Sequence, residues 1–135
     1  MLTPDFSKYS LALFHGDDLI YSSDTKGLRP LFDCTQQYRG ESGLILHDKV
    51  IGLAAAKLVV YSGIIREVMT MVASRPAKNF LEEHGIIIRA SNIVANIMTK
   101  DRSAVCPGEV IALSTEVPSE FICGIKSMLN IQDEN

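Results

Sequence analysis

Several common functional signatures are missing from this sequence. It has no tryptophan, and its three cysteines, Cys34, Cys106 and Cys123, lie far apart. There is no Cys-x-x-Cys or His-Glu-x-x-His segment and no glycine-rich phosphate loop, so the usual patterns for a metal site or for phosphate binding are absent. The odd number of unclustered cysteines indicates free thiols in a reducing compartment. We therefore expect neither a bound metal ion nor a cofactor.

Basic runs and long apolar runs are absent as well. Thirteen Lys and Arg residues against sixteen Asp and Glu residues give a net charge of -3, which does not favour nucleic acid or an anionic membrane as a partner. No apolar run reaches the roughly 18 residues that a membrane-spanning helix needs. The start, Met1 to Asp5, has neither the basic nor the apolar part of a signal peptide. We expect a cytoplasmic protein.

The segments that are present alternate between strand-like and helix-like patterns. The chain has 135 residues, of which 47% are apolar and 21% charged, and this predicts one domain spanning residues 1–135. Two short apolar runs around His15-Gly16-Asp17-Asp18 predict a β-hairpin. Helices are then predicted at about 27–38, 48–61 and 74–84, strands at 43–47, 64–73 and 86–88, one or two helical turns at 93–97, and a C-terminal helical extension at about 106–130. This order predicts a three-layer α/β fold, with a mixed central sheet of about five strands and helices on both faces.

The segment from Asp48 to Ala56 joins the predicted inner strand to a nearly uncharged helix. A helix start favours anions, because its first N–H groups have no partner within the helix and the helix dipole is positive there. Asp48 can cap this helix, Lys49 can help to hold an anion, and Gly52 allows the close approach of a backbone or a ligand. The simpler interpretation is that Asp48 only caps the helix and Lys49 only faces water.

Cys106 is a second candidate, because Pro107 after it predicts that the thiol lies at a helix start. The helix dipole favours the thiolate there, and Arg102 lies just upstream. Glu109 can orient a substrate or a proton, or its charge can oppose thiolate formation. The simpler interpretation is a small buried residue that begins a helix. Cys34 and Cys123, by contrast, are predicted inside amphipathic helices, where a thiol is usually packed and inert.

Two segments of the sequence resemble the motifs of a known family. Asp48–Ala56 and Cys106-Pro107-x-Glu109 are similar to the motifs D-K-V-V-G-K-A-A-A and C-P-x-E of an uncharacterised prokaryotic family of small proteins, filed as a domain of unknown function. The similarity covers about residues 11–112. The sequence departs from the pattern at Leu53, where a lysine is common, and at Gly108. The resemblance implies a fold similar to that of cytidine deaminase, in which the starts of two helices line a common pocket.

The resemblance does not extend to zinc chemistry. In zinc deaminases a His-x-Glu opens the helix after the hairpin, and a Pro-Cys-x-x-Cys opens the next helix. By position these segments fall near Asp24–Gly27 and at Asp48–Gly52, and neither contains a set of zinc ligands. We therefore expect the protein to share the fold of the zinc deaminases and to lack zinc-dependent deaminase activity.

The leading hypothesis for function is a small-molecule-binding domain. It would hold an anionic molecule, such as a nucleotide or a related metabolite, between the starts of the first two helices. The expected binding residues are Asp48, Lys49, Gly52, Gly27 and Arg102.

Two alternatives remain open at this point. The first is an enzyme that uses Cys106 as a nucleophile or redox thiol, with Asp48, Lys49 and Glu109 as proton and charge partners. The second is a self-associating domain that forms a homo-oligomer.

Overall fold

The computed structural model of the protein describes residues 3–25, 27–95, 111–112 and 115–129. The strands and helices in these ranges are β1 Leu11–His15, β2 Asp18–Ser23, α1 Arg29–Gln37, β3 Leu44–Asp48, β4 Val50–Ile51, α2 Leu53–Ser62, β5 Ile65–Ser74, α3 Arg75–Glu83, β6 Ile87–Val94 and α4 Pro118–Met128. The predicted class, α/β with a mixed central sheet, is confirmed, and the sheet is open. None of the helices within these ranges is long and apolar enough to cross a membrane.

The sheet has the strand order β2-β1-β3-β5-β6, with β4 as a continuation of β3. β1 pairs antiparallel with β2 and β3, while β5 pairs parallel with β3, β4 and β6. Val72 and Ala73 of β5 pair with β4 and also with β6. Since a strand has only two edges, β4 lies on the side of β5 that β3 occupies. The six strands therefore fill five positions, as the sequence predicts.

The helices α1, α2 and α3 pack side by side, with α2 in contact with both of the others. Together with the sheet they enclose a core that includes Leu13, Leu31 and Leu46, all with no exposed surface. Seven consecutive residues at the start of α2, 53–59, are buried. The central position of this helix explains why its sequence is almost uncharged.

Two boundaries differ from the sequence-based predictions. The helix α2 begins at Leu53 with Gly52 as its N-cap, whereas Asp48 is the last residue of β3. The prediction that Asp48 caps this helix is therefore wrong, because the short strand β4 pairs with β5 and separates the two. The predicted helical turns at 93–97 are also wrong for Ile93 and Val94. These residues belong to β6, which extends as far as its partner β5 does, up to the pairing of Ser74 with Val94.

The C-terminal segment packs against α2 and α3, and Lys57 of α2 lies at the centre of these contacts. Lys57 is 6% exposed, and its Nζ donates hydrogen bonds to the carbonyl oxygens of Ala112 at 2.6 Å and Thr115 at 2.7 Å. The same nitrogen lies 5.6 Å from the ring centre of Phe121 in α4 and 5.9 Å from that of Phe80 in α3, within reach of a cation–π interaction. The lone charge of the central helix thus anchors the start of the C-terminal segment.

Candidate functional site

The carboxyl ends of four strands lie at one edge of the sheet. β2, β3, β5 and β6 run in the same direction, because β1 is antiparallel to its two neighbours and the other pairs are parallel. The helices α1, α2 and α3 follow β2, β4 and β5 and therefore begin at this edge. Open α/β sheets usually bind their ligands outside the carboxyl ends of the strands. We call the described residues of the two segments, 24, 25, 27, 28 and 48–52, the strand-end site.

Ser10 joins the two parts of the strand-end site. Its hydroxyl donates a hydrogen bond to the carbonyl oxygen of Thr25 at 2.7 Å, and its carbonyl oxygen accepts one from the N–H of Lys49 at 2.9 Å. The loop that carries Gly27 therefore lies beside the junction of β3 and β4, which carries Asp48. The segments that lead into the first two helices are thus neighbours, which is the arrangement that the leading hypothesis needs.

Asp48 has the most strongly perturbed carboxyl group of the strand-end site. The residue is partly buried at the end of β3. Burial raises the pKa of Asp48 to about 8, although hydrogen bonds from the backbone N–H groups of Val50 and Lys49 oppose the shift. At pH 7 the group is largely protonated, so it can donate a hydrogen bond. A perturbed carboxyl group of this kind is typical of functional sites.

The other predicted binding residues of the strand-end site have different surroundings. Lys49 is exposed and Gly52 is buried. Gly52 has an ordinary φ of -94° and brings no capping side chain to the first turn of α2. Gly27 is exposed and has a φ of 92°, with no other atom within 4 Å of the position a Cβ would take. The backbone conformation, and not close packing, therefore favours glycine at Gly27.

The two cysteines in the described residues differ in exposure. Cys34 lies in α1 and is fully buried. Burial, followed by the charges of Asp48 and Asp33, raises the pKa of its thiol to about 12. The prediction that Cys34 is packed is confirmed, and its low reactivity stays a prediction. Cys123 in α4 is exposed, and the prediction that it is packed is wrong. It lies two residues from the buried Phe121, and such a step leads to the other side of a helix.

Cys106, Arg102 and Glu109 lie outside the described residues, so their expected roles stay predictions. Among the residues that the structure describes, no group of three or more His, Cys, Asp or Glu side chains could hold a metal ion.

A second polar cluster, which the sequence analysis missed, lies on the face of the sheet opposite α1–α3. The ring of His47 is 1% exposed, and its Nδ1 lies 2.9 Å from the hydroxyl oxygen of Tyr9. Burial lowers the pKa of His47, and the charge of Glu67 opposes that shift. The side chain of Glu67 is 5% exposed, and its Oε1 lies 4.0 Å from Nε of Arg89. The available signal in the sequence was that His47 and Glu67 are ionisable residues within mostly apolar strands.

The features described so far define an α/β protein with an open mixed sheet and a polar site at its strand ends. Residues 5–129 match the family described as "TM1506: Domain of unknown function (DUF1893)", and the chain belongs to this family. The crystal structure of a DUF1893 family protein, TM1506 from Thermotoga maritima, is similar with a TM-score of 0.81 and 24% sequence identity, over 90% of this chain and 82% of that one. This likeness shows a shared fold.

No curated protein matches the chain. The predicted resemblance to a family of unknown function is confirmed, whereas the likeness to cytidine deaminase stays a prediction.

Proposed function

We propose that the protein binds a small anionic molecule at the strand-end site, between the starts of α1 and α2. The observation that carries this proposal is the partly buried residue Asp48 at the end of β3, whose carboxyl group has its pKa raised to about 8. A neutral carboxylic acid donates a hydrogen bond to an anion and does not repel it. The proposed ligands are nucleotides and related anionic metabolites.

Two neighbouring features support an anionic ligand. The N-terminus of α2 provides partial positive charge and has no side-chain cap from Gly52. Lys49 is the exposed cation of the same loop. A hydrogen bond to a charged group contributes about 1.5–3 kcal/mol, so a phosphate or carboxylate group gains from Lys49 and the protonated Asp48 together.

The test is isothermal titration calorimetry with inorganic phosphate and with AMP. Replacing Lys49 by Met should weaken binding about tenfold, equivalent to about 1.4 kcal/mol. The matched control is Lys78→Met, because Lys78 lies on α3 and pairs with Glu82 at 2.8 Å; this variant should bind as the unchanged protein does. The proposal is wrong if neither probe binds at millimolar concentration, or if both lysine variants lose affinity equally.

Two substitutions at Asp48 separate its charge from its hydrogen-bonding role. Asp48→Asn keeps a neutral donor, so it should retain affinity and lose the decline in binding that the unchanged protein shows above about pH 8. Asp48→Ala removes the donor and should weaken binding at every pH.

A further inference from the structure

A cleft of about 380 Å³ lies between the N-terminal segment and the middle of β5 and β6. Phe6 forms one wall, Met69 and Met71 form the floor on β5, and Arg89 and Ser91 border it on β6. Its volume falls within the range of about 300–1,000 Å³ that is usual for small-molecule sites. The cleft is separate from Asp48 and Gly52, which do not line it.

The cleft lies on the sheet face that carries His47. Leu46 faces the core between the sheet and the helices, and side chains alternate along a strand, so His47 faces the opposite way. His47 pairs in register with Met69, and Met69 pairs with Arg89. These three side chains therefore form one row across β3, β5 and β6.

The aromatic wall of the cleft is held in place by buried groups. The ring of Phe6 packs edge-on against that of Tyr9, with their centres 5.8 Å apart. The hydroxyl of Tyr9 is hydrogen-bonded to Nδ1 of the buried His47, and it also accepts a hydrogen bond from the N–H of Asp5 at 3.1 Å. These contacts attach the segment with Phe6 to the sheet before any ligand arrives, which lowers the cost of ordering a binding site.

Arg89 gives the cleft one positive charge. Its side chain is 54% exposed, and its Nε lies 4.0 Å from Oε1 of Glu67. At that distance the two side chains form an ion pair without a hydrogen bond. Glu67 therefore orients the guanidinium without accepting a hydrogen bond from it, and the N–H donors can pair with a ligand. Glu67 offsets part of the charge. A singly charged carboxylate therefore suits Arg89 better than a doubly charged phosphate.

We propose that this cleft binds a small aromatic carboxylate. The carboxylate pairs with the guanidinium of Arg89, whose planar donors match its two oxygens. The aromatic ring lies between Phe6 and the thioethers of Met69 and Met71, where ring and sulfur contacts are favourable. This site does not depend on the proposed function, because its residues differ from those of the strand-end site.

The experiment uses the full chain with ¹³C-labelled methionine methyl groups, and 2-naphthoate as the probe. Met→Leu variants assign the signals of Met69 and Met71. We expect 2-naphthoate to shift both signals with saturation, and its neutral analogue 2-naphthamide to bind at least about fivefold more weakly, because it lacks the charge that Arg89 recognises.

Arg89→Gln should weaken naphthoate binding about five- to tenfold, since it removes a charge-assisted contact from an exposed position. The matched control Arg39→Gln alters an exposed arginine just after α1 and should leave the affinity unchanged. The proposal is overturned by an absence of shifts at millimolar naphthoate, by equal affinity in Arg89→Gln, or by equal affinity for the amide.

Discussion

At the scale of the residue, Asp48 and Lys57 show how burial changes what an ionisable group can do. Burial raises the pKa of Asp48 to about 8 and lowers the pKa of Lys57, against the nearby charge of Glu116. The two groups differ in their partners. Two backbone carbonyls accept hydrogen bonds from Lys57, so its charge is used within the fold. The protonated carboxyl of Asp48 can instead serve a ligand.

Asp48 should make the stability of the protein depend on pH. Its folded pKa of about 8 lies above the ordinary value of 3.8, so the folded state holds more protons than the unfolded state between these values. The free energy of unfolding should therefore fall as the pH rises from about 4 to about 8, by at most about 1.4 kcal/mol per pH unit from this group. Above that range its contribution is constant.

The Asp48→Asn variant, studied by urea denaturation across this pH range, should lose this decline and be at least as stable as the unchanged protein at pH 8. Asp17→Asn, on the exposed hairpin turn, is the matched control. A decline that persists undiminished in Asp48→Asn would assign the pH dependence to other groups.

Cys123 should react with an alkylating reagent long before Cys34 does. Cys123 is exposed on α4, whereas Cys34 is buried and has its thiol pKa raised to about 12, and only the thiolate is an effective nucleophile. Limited alkylation read by peptide mass should label Cys123 in the folded protein and Cys34 only in denaturant. Early labelling of Cys34 would show that α1 opens readily. The expected high reactivity of Cys106 stays a prediction, which the same experiment tests.

At the scale of the element, α2 depends on contacts with segments far away in the sequence. Its start is set by β4, which pairs with β5, and its lone charge holds Ala112 and Thr115. The helix also ends at Gly63, where a φ of 69° favours glycine. Of these three features only the helix end at Gly63 is local, and it is the one that the sequence predicts directly.

Replacing Lys57 by Met should reduce the free energy of unfolding by roughly 1–3 kcal/mol, because it leaves the buried carbonyl of Ala112 and the partly buried carbonyl of Thr115 without their donor. Lys78→Met, which breaks an exposed ion pair with Glu82, should cost less than about 1 kcal/mol. Urea denaturation of both variants makes the comparison. Equal shifts in the two midpoints would mean that the C-terminal segment adds little to stability.

At the scale of the whole molecule, local signals predict much of the fold. The hairpin around Gly16 follows from its turn residues, and α3 begins where Ser74 and Pro76 indicate, with the Ser74 hydroxyl accepting the N–H of Ala77 at 3.2 Å. The pairings that extend β6 and create β4 are not local, and no pattern around Val50 or Ile93 reveals them.

The candidate site could be predicted only in part, because some of its features depend on contacts between distant segments of the chain. The stretch from Asp48 to Gly52 could be located from its charges and its small residues. The role of Asp48 could not be predicted, because the raised pKa of its carboxyl group depends on burial in the folded chain. The cluster of His47, Glu67 and Arg89 forms only when three strands align, so neither the cluster nor the cleft beside it has a signature within one segment.

The carboxyl group of Asp48 offers the most direct test of the central claim, that the strand-end site binds an anion with the help of a neutral acid. The measurement is the ¹³C chemical shift of this carboxyl group during a pH titration, without ligand and with saturating AMP or inorganic phosphate. We predict a midpoint near pH 8 in the free protein, and a higher midpoint with the ligand, because a bound anion favours the protonated form. A midpoint near the ordinary value of 3.8, or one that does not move when the anion binds, would contradict the account.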